Sequence, residues 1–344
     1  MVKNKNILPH TIISEDYYLK VLDDTNKFLN KNQVIAKEIH DYLWGFRILL
    51  DLVPETIENF WSGHIFPLIE AEYEIESSIQ LCKLGFYKQA VVSLRNILEL
   101  GLLSVYWDID GKSHIKIQNW LKSNENTPFK KRVLKVLEQD DHINYFNLRT
   151  NFFNTTEHLY RELCNFSHTK GIKYSSKGFG ISNVNTFKKE SLQKWVELYK
   201  ETIRIIIIYH ILKYPIALQY TPIDDKYGLN GPIGGFLRPS QVERIKKIIP
   251  KYLIDILQEI SNSDEFATNA AKEINKLPDI TEQEIKRQIE TNDREQIKMW
   301  GFNYWYNQEK WILDHLENKV EYNEKLKYFK KMKLWARSKN LINK

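Results

Sequence analysis

Apolar residues recur along much of the chain at the three- to four-residue spacing of amphipathic helices. Within 31–52 this apolar stripe consists of Val34, Ile35, Ile39, Leu43 and Phe46. Pro54 then interrupts the pattern, because proline has no amide hydrogen and clashes with the preceding helical turn. The pattern predicts two or three helices within residues 1–66.

The segment 67–214 is predicted to form one helical bundle that starts with a helical hairpin. The first helix runs from Pro67 to about Leu84 and the second from Tyr87 to about Trp107, with Gly85 as a left-handed cap. So short a connection favours antiparallel neighbours. Further helices are expected at 114–122, 128–138, 142–168 and 187–214, and a loop is expected at 169–185.

Glycine and proline concentrate after this bundle. Residues 221–239 hold four Gly and three Pro, which is typical of a linker or a functional loop. A phosphate-binding loop is not indicated, because Gly231 and the glycines after it lack the following Lys-Ser or Lys-Thr. Residues 240–344 are again helical by pattern. The sequence therefore predicts an all-α fold with N-terminal helices at 1–66, a bundle at 67–214, a linker at 215–239 and a C-terminal helical region at 240–344.

Composition narrows the cellular setting that we expect. The chain has two cysteines, Cys82 and Cys164, which is unlike a secreted disulfide framework. Its N-terminus lacks an apolar leader, and its longest apolar run, Ile203 to Leu212, is too short to span a bilayer. These features predict a cytoplasmic protein without a membrane partner.

Positive charge is concentrated at the C-terminus. The whole chain carries a net charge of +6, and residues 319–344 contain nine Lys or Arg against two Glu. One interpretation is a basic arm that binds RNA, DNA or an acidic partner. The other is a solvated helix face in a lysine-rich protein. Candidate nucleic-acid contacts are Lys330, Lys331, Lys333 and Arg337, together with Lys170 nearer the middle of the chain.

The most informative local pattern is the triple Arg161, Asn165 and His168, spaced i, i+4 and i+7. Seven helical residues turn through about 700°, so the three side chains share one helix face. An imidazole titrates near neutral pH and is suited to take a proton from a 2′-hydroxyl or to give one to a leaving oxygen. A guanidinium stabilises charge on phosphoryl oxygens, and the amide of Asn165 could orient either group.

Structural roles compete with this interpretation. His168 could simply cap the last carbonyls of its helix, and Arg161 could pair with Glu157 one turn earlier. Arg95 and Glu99, at i and i+4 in an apolar run, could pair with each other or line the same cleft as the triple.

The other candidates favour structural roles. No zinc-type spacing involves Cys164 and the histidines around it, and no cofactor or metal is expected. Asp140 and Asp141 are interpreted as a helix N-terminus, and Asp224 and Asp225 as part of a loop. An aromatic cluster near the C-terminus is interpreted mainly as helix packing, with stacking of nucleobases as the alternative; its members are Trp300, Phe302, Tyr304, Trp305, Tyr306 and Trp311.

Residues 67–214 resemble the HEPN superfamily. The resemblance lies in the predicted hairpin, in the stretch SLRNILELGLLSVYW from Ser93, and in LYRELCNFSHTKG from Leu159, which contains an Arg-x6-His motif. It implies a compact bundle of four or five helices, catalytic roles for Arg161 and His168, and a homodimer whose two motifs form one cleft. It also implies metal-independent endoribonuclease activity, often in toxin or antiviral defence systems. Glu162 departs from the Asn, Asp or His that often follows the arginine in active members.

Two classes of function therefore remain. The first is an endoribonuclease that acts on RNA and leaves a 2′,3′-cyclic phosphate. The second is a non-enzymatic helical module that binds nucleic acid or a protein, including a regulator whose partner is encoded beside it.

Overall fold

The computed structural model describes residues 15–53, 65–110, 114–178, 186–232, 234–314 and 319–342. Within these ranges the protein is all-α and contains no β-strand, as the apolar periodicity predicts. The sixteen helices of the described ranges are α1 (Glu15–Lys31), α2 (Gln33–Leu52), α3 (Phe66–Lys83), α4 (Tyr87–Ile109), α5 (His114–Leu121), α6 (Lys130–Leu137), α7 (Asp141–Thr150), α8 (Phe152–Ser167), α9 (Lys189–Lys213), α10 (Ile223–Tyr227), α11 (Pro239–Ile248), α12 (Lys251–Ser263), α13 (Glu265–Lys276), α14 (Glu282–Trp300), α15 (Phe302–Asp314) and α16 (Lys319–Ser338).

The chain forms two compact units whose boundaries differ from the segments expected from sequence. Unit 1 comprises Met1–Thr221 and Pro232–Ile274, and unit 2 comprises Pro222–Gly231 and Asn275–Lys344. Buried residues of α2, α11 and α12 belong to the same apolar cluster as those of α3, α4 and α9. Apolar stripes on α2, α11 and α12 are thus used to complete the bundle rather than to build separate domains.

The expected hairpin is present as α3 and α4. Gly85 has a φ of 84°, and its amide donates to the Cys82 carbonyl while the Phe86 amide donates to that of Leu81. These two hydrogen bonds close the end of α3 in a Schellman motif, which needs a left-handed residue where Gly85 lies. The indole of Trp195 on α9 donates to the Ser78 hydroxyl on α3, at 2.9 Å, and so ties α9 to the hairpin.

Helices α4 and α9 cross in close contact at the centre of unit 1. A Cβ atom at Gly101 would lie 2.6 Å from two side-chain carbons of Ile206, so only glycine allows this approach. One turn away, His210 is fully buried, with Nδ1 2.8 Å from the Ile206 carbonyl and Nε2 3.4 Å from the Ser104 hydroxyl. Burial lowers the pKa of His210 to about 4, although its Ile206 bond and Asp108 favour the charged form.

The prediction of a single helix over 142–168 is wrong, because two helices, α7 and α8, occupy this segment. They meet at Asn151, which has a φ of 55°. Asparagine tolerates this left-handed conformation better than most residues, and the side chain of Asn147 accepts a hydrogen bond from the Phe153 amide at 2.9 Å. The apolar periodicity continues on both sides of the break and therefore does not reveal it.

Unit 2 has its own apolar cluster, which includes the basic C-terminal segment. Its buried members are Ile297, Phe302, Trp305, Leu313, Phe329, Met332 and Ala336. Phe329 and Met332 lie on α16, so this helix packs as part of unit 2 and is not a free arm.

Among the described helices, α4 alone is long and apolar enough to cross a bilayer by composition, and 72% of its most apolar window is buried inside the protein.

Candidate functional site

Helix α8 is anchored by one apolar face and leaves its polar face exposed. Leu159, Leu163 and Phe166 are buried in the core of unit 1. Arg161 and His168 are exposed and Asn165 is half-buried, as their i, i+4 and i+7 spacing places them on the other side of the helix. The folding of α8 therefore does not require burial of the polar triple.

Arg161 is not paired with the carboxylate of Glu157. That carboxylate accepts instead from the Lys130 ammonium on α6, at 3.2 Å. The Arg161 side chain makes a 3.4 Å hydrogen bond from Nε to the Glu157 carbonyl, and neither of its terminal nitrogens has a partner among the described residues. The guanidinium is therefore available to an anion.

His168 lies at the end of α8, in a strained turn. The Thr169 amide donates to the Phe166 carbonyl and the Lys170 amide to that of Asn165, so the helix closes with a Schellman motif. Thr169 occupies the left-handed position with a φ of 50°, which is uncommon for a β-branched residue. Its hydroxyl accepts from the Lys88 ammonium at 2.6 Å, which links the turn to the start of α4. Within the described part of the chain, the imidazole of His168 caps no carbonyl and has no side-chain partner.

Glu162 has a structural role beside the triple. Its carboxylate accepts from the Tyr174 hydroxyl at 3.2 Å, and the Tyr174 ring packs edge-on against Phe166 with ring centroids 5.0 Å apart. These contacts hold the 3-10 turn Ile172–Tyr174 against α8. The carboxylate is thus directed toward this turn.

The surface around His168 is positively charged. Between residues 158 and 178 there are four Lys or Arg and one Glu, and Lys170, Lys173 and Lys177 are exposed. Ile172, in the same turn, is 77% exposed. This surface can attract an anionic ligand and offers an apolar contact next to it.

Arg95 and Glu99 pair with each other and with a third residue that sequence reasoning missed, Tyr160. The Tyr160 hydroxyl donates to Glu99 Oε1 at 2.7 Å, and Arg95 donates to the same oxygen from Nη2 at 3.0 Å and from Nε at 3.1 Å. Partial burial and the bond to Glu99 raise the pKa of the Tyr160 phenol well above its usual value. The hydroxyl is therefore a donor at neutral pH. Tyr160 follows helical spacing from Thr156 and Cys164, but nothing in the sequence shows that it meets α4.

This cluster lines a pocket of about 420 Å³ between α3, α4, α6 and α8. Lys130 is also in its wall, with Nζ 4.7 Å from the centre of the Tyr160 ring. Arg161, Asn165 and His168 are not among the lining residues. Arg95 and Glu99 thus line a surface that does not include the triple.

The C-terminal candidates are in unit 2. Lys330, Lys333 and Arg337 are exposed on α16, whereas Lys331 forms an ion pair with Glu290 on α14. In the aromatic cluster Trp305 and Phe302 are buried, which accords with packing, and Trp300 and Tyr304 are exposed with ring centroids 5.9 Å apart. The cluster therefore contains both a core and a surface component.

The acidic candidates have different structural roles. The Asp140 carboxylate accepts from the amides of His142 and Ile143, so it caps α7 as expected. Asp224 and Asp225 lie in the short helix α10 and not in a loop. Among the described residues no group of three or more His, Cys, Asp or Glu could hold a metal ion.

The fold and the exposed triple define an all-α protein with an accessible guanidinium and imidazole on one helix face. Comparisons of the chain with protein-family models, with curated proteins and with solved structures found no match.

Proposed function

We propose that this protein is a metal-independent endoribonuclease whose reacting groups are Arg161 and His168. The observation that carries the proposal is that both side chains are exposed on the same face of α8 and that neither is bound to a carboxylate of the described residues. A buried or neutralised pair would be unsuited to a phosphodiester. The resemblance of the Arg-x6-His segment to HEPN proteins gives independent support.

The proposed reaction is transfer of the phosphoryl group within RNA. The 2′-oxygen attacks the adjacent phosphorus, the P–O2′ bond forms and the P–O5′ bond breaks. His168 takes the proton from the 2′-hydroxyl or gives one to the leaving 5′-oxygen, and Arg161 stabilises the negative charge that develops on the phosphoryl oxygens. The products are a 2′,3′-cyclic phosphate and a 5′-hydroxyl.

One imidazole cannot act as base and acid in the same step. Two copies of the chain with facing α8 ends would supply two imidazoles, so we propose a homodimer with a shared cleft. The strained turn at Thr169, which the Lys88 bond holds in place, would fix the position of each imidazole in that cleft. The lysines around His168 would bind the flanking phosphates.

The test is cleavage of a labelled single-stranded RNA in the presence of a chelator. We expect His168→Ala and Arg161→Ala each to reduce the rate by about 10²-fold or more, as loss of an acid–base or charge-stabilising group does. Matched controls are His40→Ala and Arg132→Ala, which remove exposed residues of the same types from α2 and α6. All four variants should keep the wild-type melting temperature.

Product analysis provides the sharper test. The wild-type protein should leave cyclic phosphate ends and should not cleave the same strand with 2′-deoxyribose at the scissile position. Full activity in both His168→Ala and Arg161→Ala, or products with 3′-hydroxyl ends, would refute the proposal.

A second, non-enzymatic function is favoured by the surface of unit 2. Lys330, Lys333 and Arg337 form an exposed basic strip on α16, and exposed Trp300 and Tyr304 belong to the same unit. Such a combination suits binding of single-stranded nucleic acid through phosphate contacts and base stacking. Because α16 contributes to the core of unit 2, the suitable test is Lys330→Glu with Lys333→Glu and not deletion of the helix. If this function is correct, the double variant weakens RNA binding and reduces its salt dependence, while cleavage-site variants leave both unchanged.

A further inference from the structure

The pocket beside α8 is not used by the proposed chemistry. It has a volume of about 420 Å³, which is within the usual range for small-molecule sites. Its walls come from α3, α4, α6 and α8, all within unit 1. Leu102, Leu103 and Val133 supply apolar surface, and Glu74, Arg95, Glu99 and Lys130 supply charged groups.

The charges in this pocket are balanced. Two carboxylates, Glu74 and Glu99, line it together with two cations, Arg95 and Lys130. A balanced set does not favour an isolated anion such as free phosphate. It suits an uncharged ligand that offers both donors and acceptors along one edge.

Several polar atoms of the pocket have no protein partner. Tyr160 and Arg95 both donate to Glu99 Oε1, and Arg95 Nη2 also donates to the Tyr160 hydroxyl at 3.4 Å, so Glu99 Oε2 has no hydrogen-bond partner among the described residues. The same is true of Arg95 Nη1 and, within the described part of the chain, of the Glu74 carboxylate. They offer a ligand acceptor oxygens on two carboxylates and donor hydrogens on one guanidinium nitrogen. Because the shared bonds fix the Arg95 and Glu99 side chains, little conformational entropy is lost when a ligand binds them.

An aromatic ring lies at the mouth of the pocket. Phe129 lines it and is 86% exposed, which is unusual for so large an apolar side chain. Its backbone is fixed because its carbonyl accepts from the amides of Arg132 and Val133, at 2.8 and 3.1 Å, where α6 begins. A flat heterocycle could stack on this ring while its polar edge bonds to charged groups of the pocket.

We infer that this pocket binds a guanine base of the RNA that the proposed nuclease cleaves, an inference that rests on the proposed function. The Watson–Crick edge of guanine has two adjacent donors, N1–H and N2–H₂, next to the acceptor O6. The two donors match the carboxylates of Glu99 and Glu74, and O6 matches the free nitrogen of Arg95. Adenine, cytosine and uracil do not present two donor groups side by side on this edge.

The position of the pocket relative to the triple supports this inference. Tyr160, in the pocket wall, and Arg161, on the exposed face, are consecutive on α8 and point about 100° apart around the helix. In the inferred complex a phosphate of the strand contacts Arg161 while a base of the same strand enters the pocket. The pocket would then determine at which nucleotide the RNA is cut.

The experiment measures binding separately from cleavage. Short oligonucleotides with 2′-O-methyl ribose cannot be cleaved by 2′-oxygen attack, so the full-length wild-type protein can be titrated with them directly. Each is a polyuridine strand with one central guanine, adenine, cytosine or uracil, and guanosine monophosphate is titrated as a free nucleotide. The variants are Glu99→Gln and Phe129→Ala, with Glu197→Gln on α9 as a control for loss of an exposed carboxylate.

We expect the guanine strand to bind about tenfold more tightly than the other strands, the size typical of one good base-specific contact. Glu99→Gln and Phe129→Ala should remove this preference, and Glu197→Gln should retain it. Phe129→Ala is informative even if Glu99→Gln unfolds, because the ring is exposed and contributes little to the core. Equal binding of all four strands, or a guanine preference that survives Phe129→Ala, overturns the inference.

Two further outcomes separate the inference from the proposed function. If wild-type protein does not cut unmodified RNA but keeps a guanine preference lost in the variants, the nuclease proposal fails and the base pocket stands. The second outcome is that free guanosine monophosphate loses binding in Glu99→Gln and Phe129→Ala, while the guanine strand shows no such loss. In that case the occupant is a free nucleotide, and the inference about the RNA chain is overturned.

Discussion

The buried histidine of α9 should make the stability of unit 1 depend on pH. His210 is fully buried and its pKa is lowered to about 4, mainly by burial. In the unfolded chain a histidine has a pKa of about 6.5. Below pH 6.5 the unfolded chain therefore binds a proton that the folded protein does not, and a fall in pH favours unfolding.

The magnitude follows from this difference. Each pH unit below the unfolded pKa and above the folded pKa costs about 1.4 kcal/mol of unfolding free energy. Between pH 6.5 and pH 5 the contribution of His210 is thus a loss of about 2 kcal/mol. At pH 7.5 and above it contributes no pH dependence, because the imidazole is neutral in both states.

The assay is urea denaturation of wild-type protein and of His210→Leu between pH 5 and 8. The variant loses the hydrogen bonds to Ile206 and Ser104, so it should be less stable at neutral pH. Its unfolding free energy should then decrease less on acidification than that of the wild type, by about 2 kcal/mol at pH 5. His168→Ala, which removes an exposed imidazole, should retain the wild-type pH dependence. Parallel curves for wild type and His210→Leu would refute the reasoning.

Two further predictions concern packing and capping. Gly101→Ala should destabilise the protein by about 1–3 kcal/mol, because overpacking against buried Ile206 outweighs the better helix propensity of alanine. Urea denaturation measures the change in unfolding free energy, and adding Ile206→Ala to the same chain should recover part of the loss. Asp140→Ala should cost about 1 kcal/mol through loss of the α7 cap, measured in the same way, whereas Asp141→Ala should have a smaller effect. A stabilised Gly101→Ala variant, or equal effects at the two aspartates, would contradict these expectations.

The helical hairpin was predictable because local chemistry determines it. Gly85 is the residue that the left-handed cap of α3 requires, and an apolar stripe continues on each side of it. At Asn151 the same backbone conformation occurs without a glycine, inside an unbroken apolar pattern. The break between α7 and α8 depends on a side-chain bond from Asn147, which periodicity does not report.

The candidate site was predictable only along one helix. The i, i+4 and i+7 spacing is sufficient to place Arg161, Asn165 and His168 on a common face of α8. The hydrogen bond between Tyr160 and Glu99 depends on how α4 packs against α8, because the two residues are over sixty positions apart in sequence. Likewise, the Glu157 carboxylate pairs with Lys130 and not with Arg161, and this tertiary contact is not determined by local spacing.

The discontinuity of unit 2 affects how the chain can fold during its synthesis. Residues 222–231 leave the ribosome before α14, but their hydrogen-bond partners are in α14 or just before it. The Asp225 carbonyl accepts from the Ile280 amide at 2.8 Å, and the Leu229 amide donates to the Gln288 side chain at 2.8 Å. A nascent chain that ends before residue 280 must hold α10 without these contacts, although all of unit 1 has already been made. This segment therefore completes its contacts only after unit 1 has been made, and a chain shortened at residue 275 would retain residues 222–231 without the rest of unit 2.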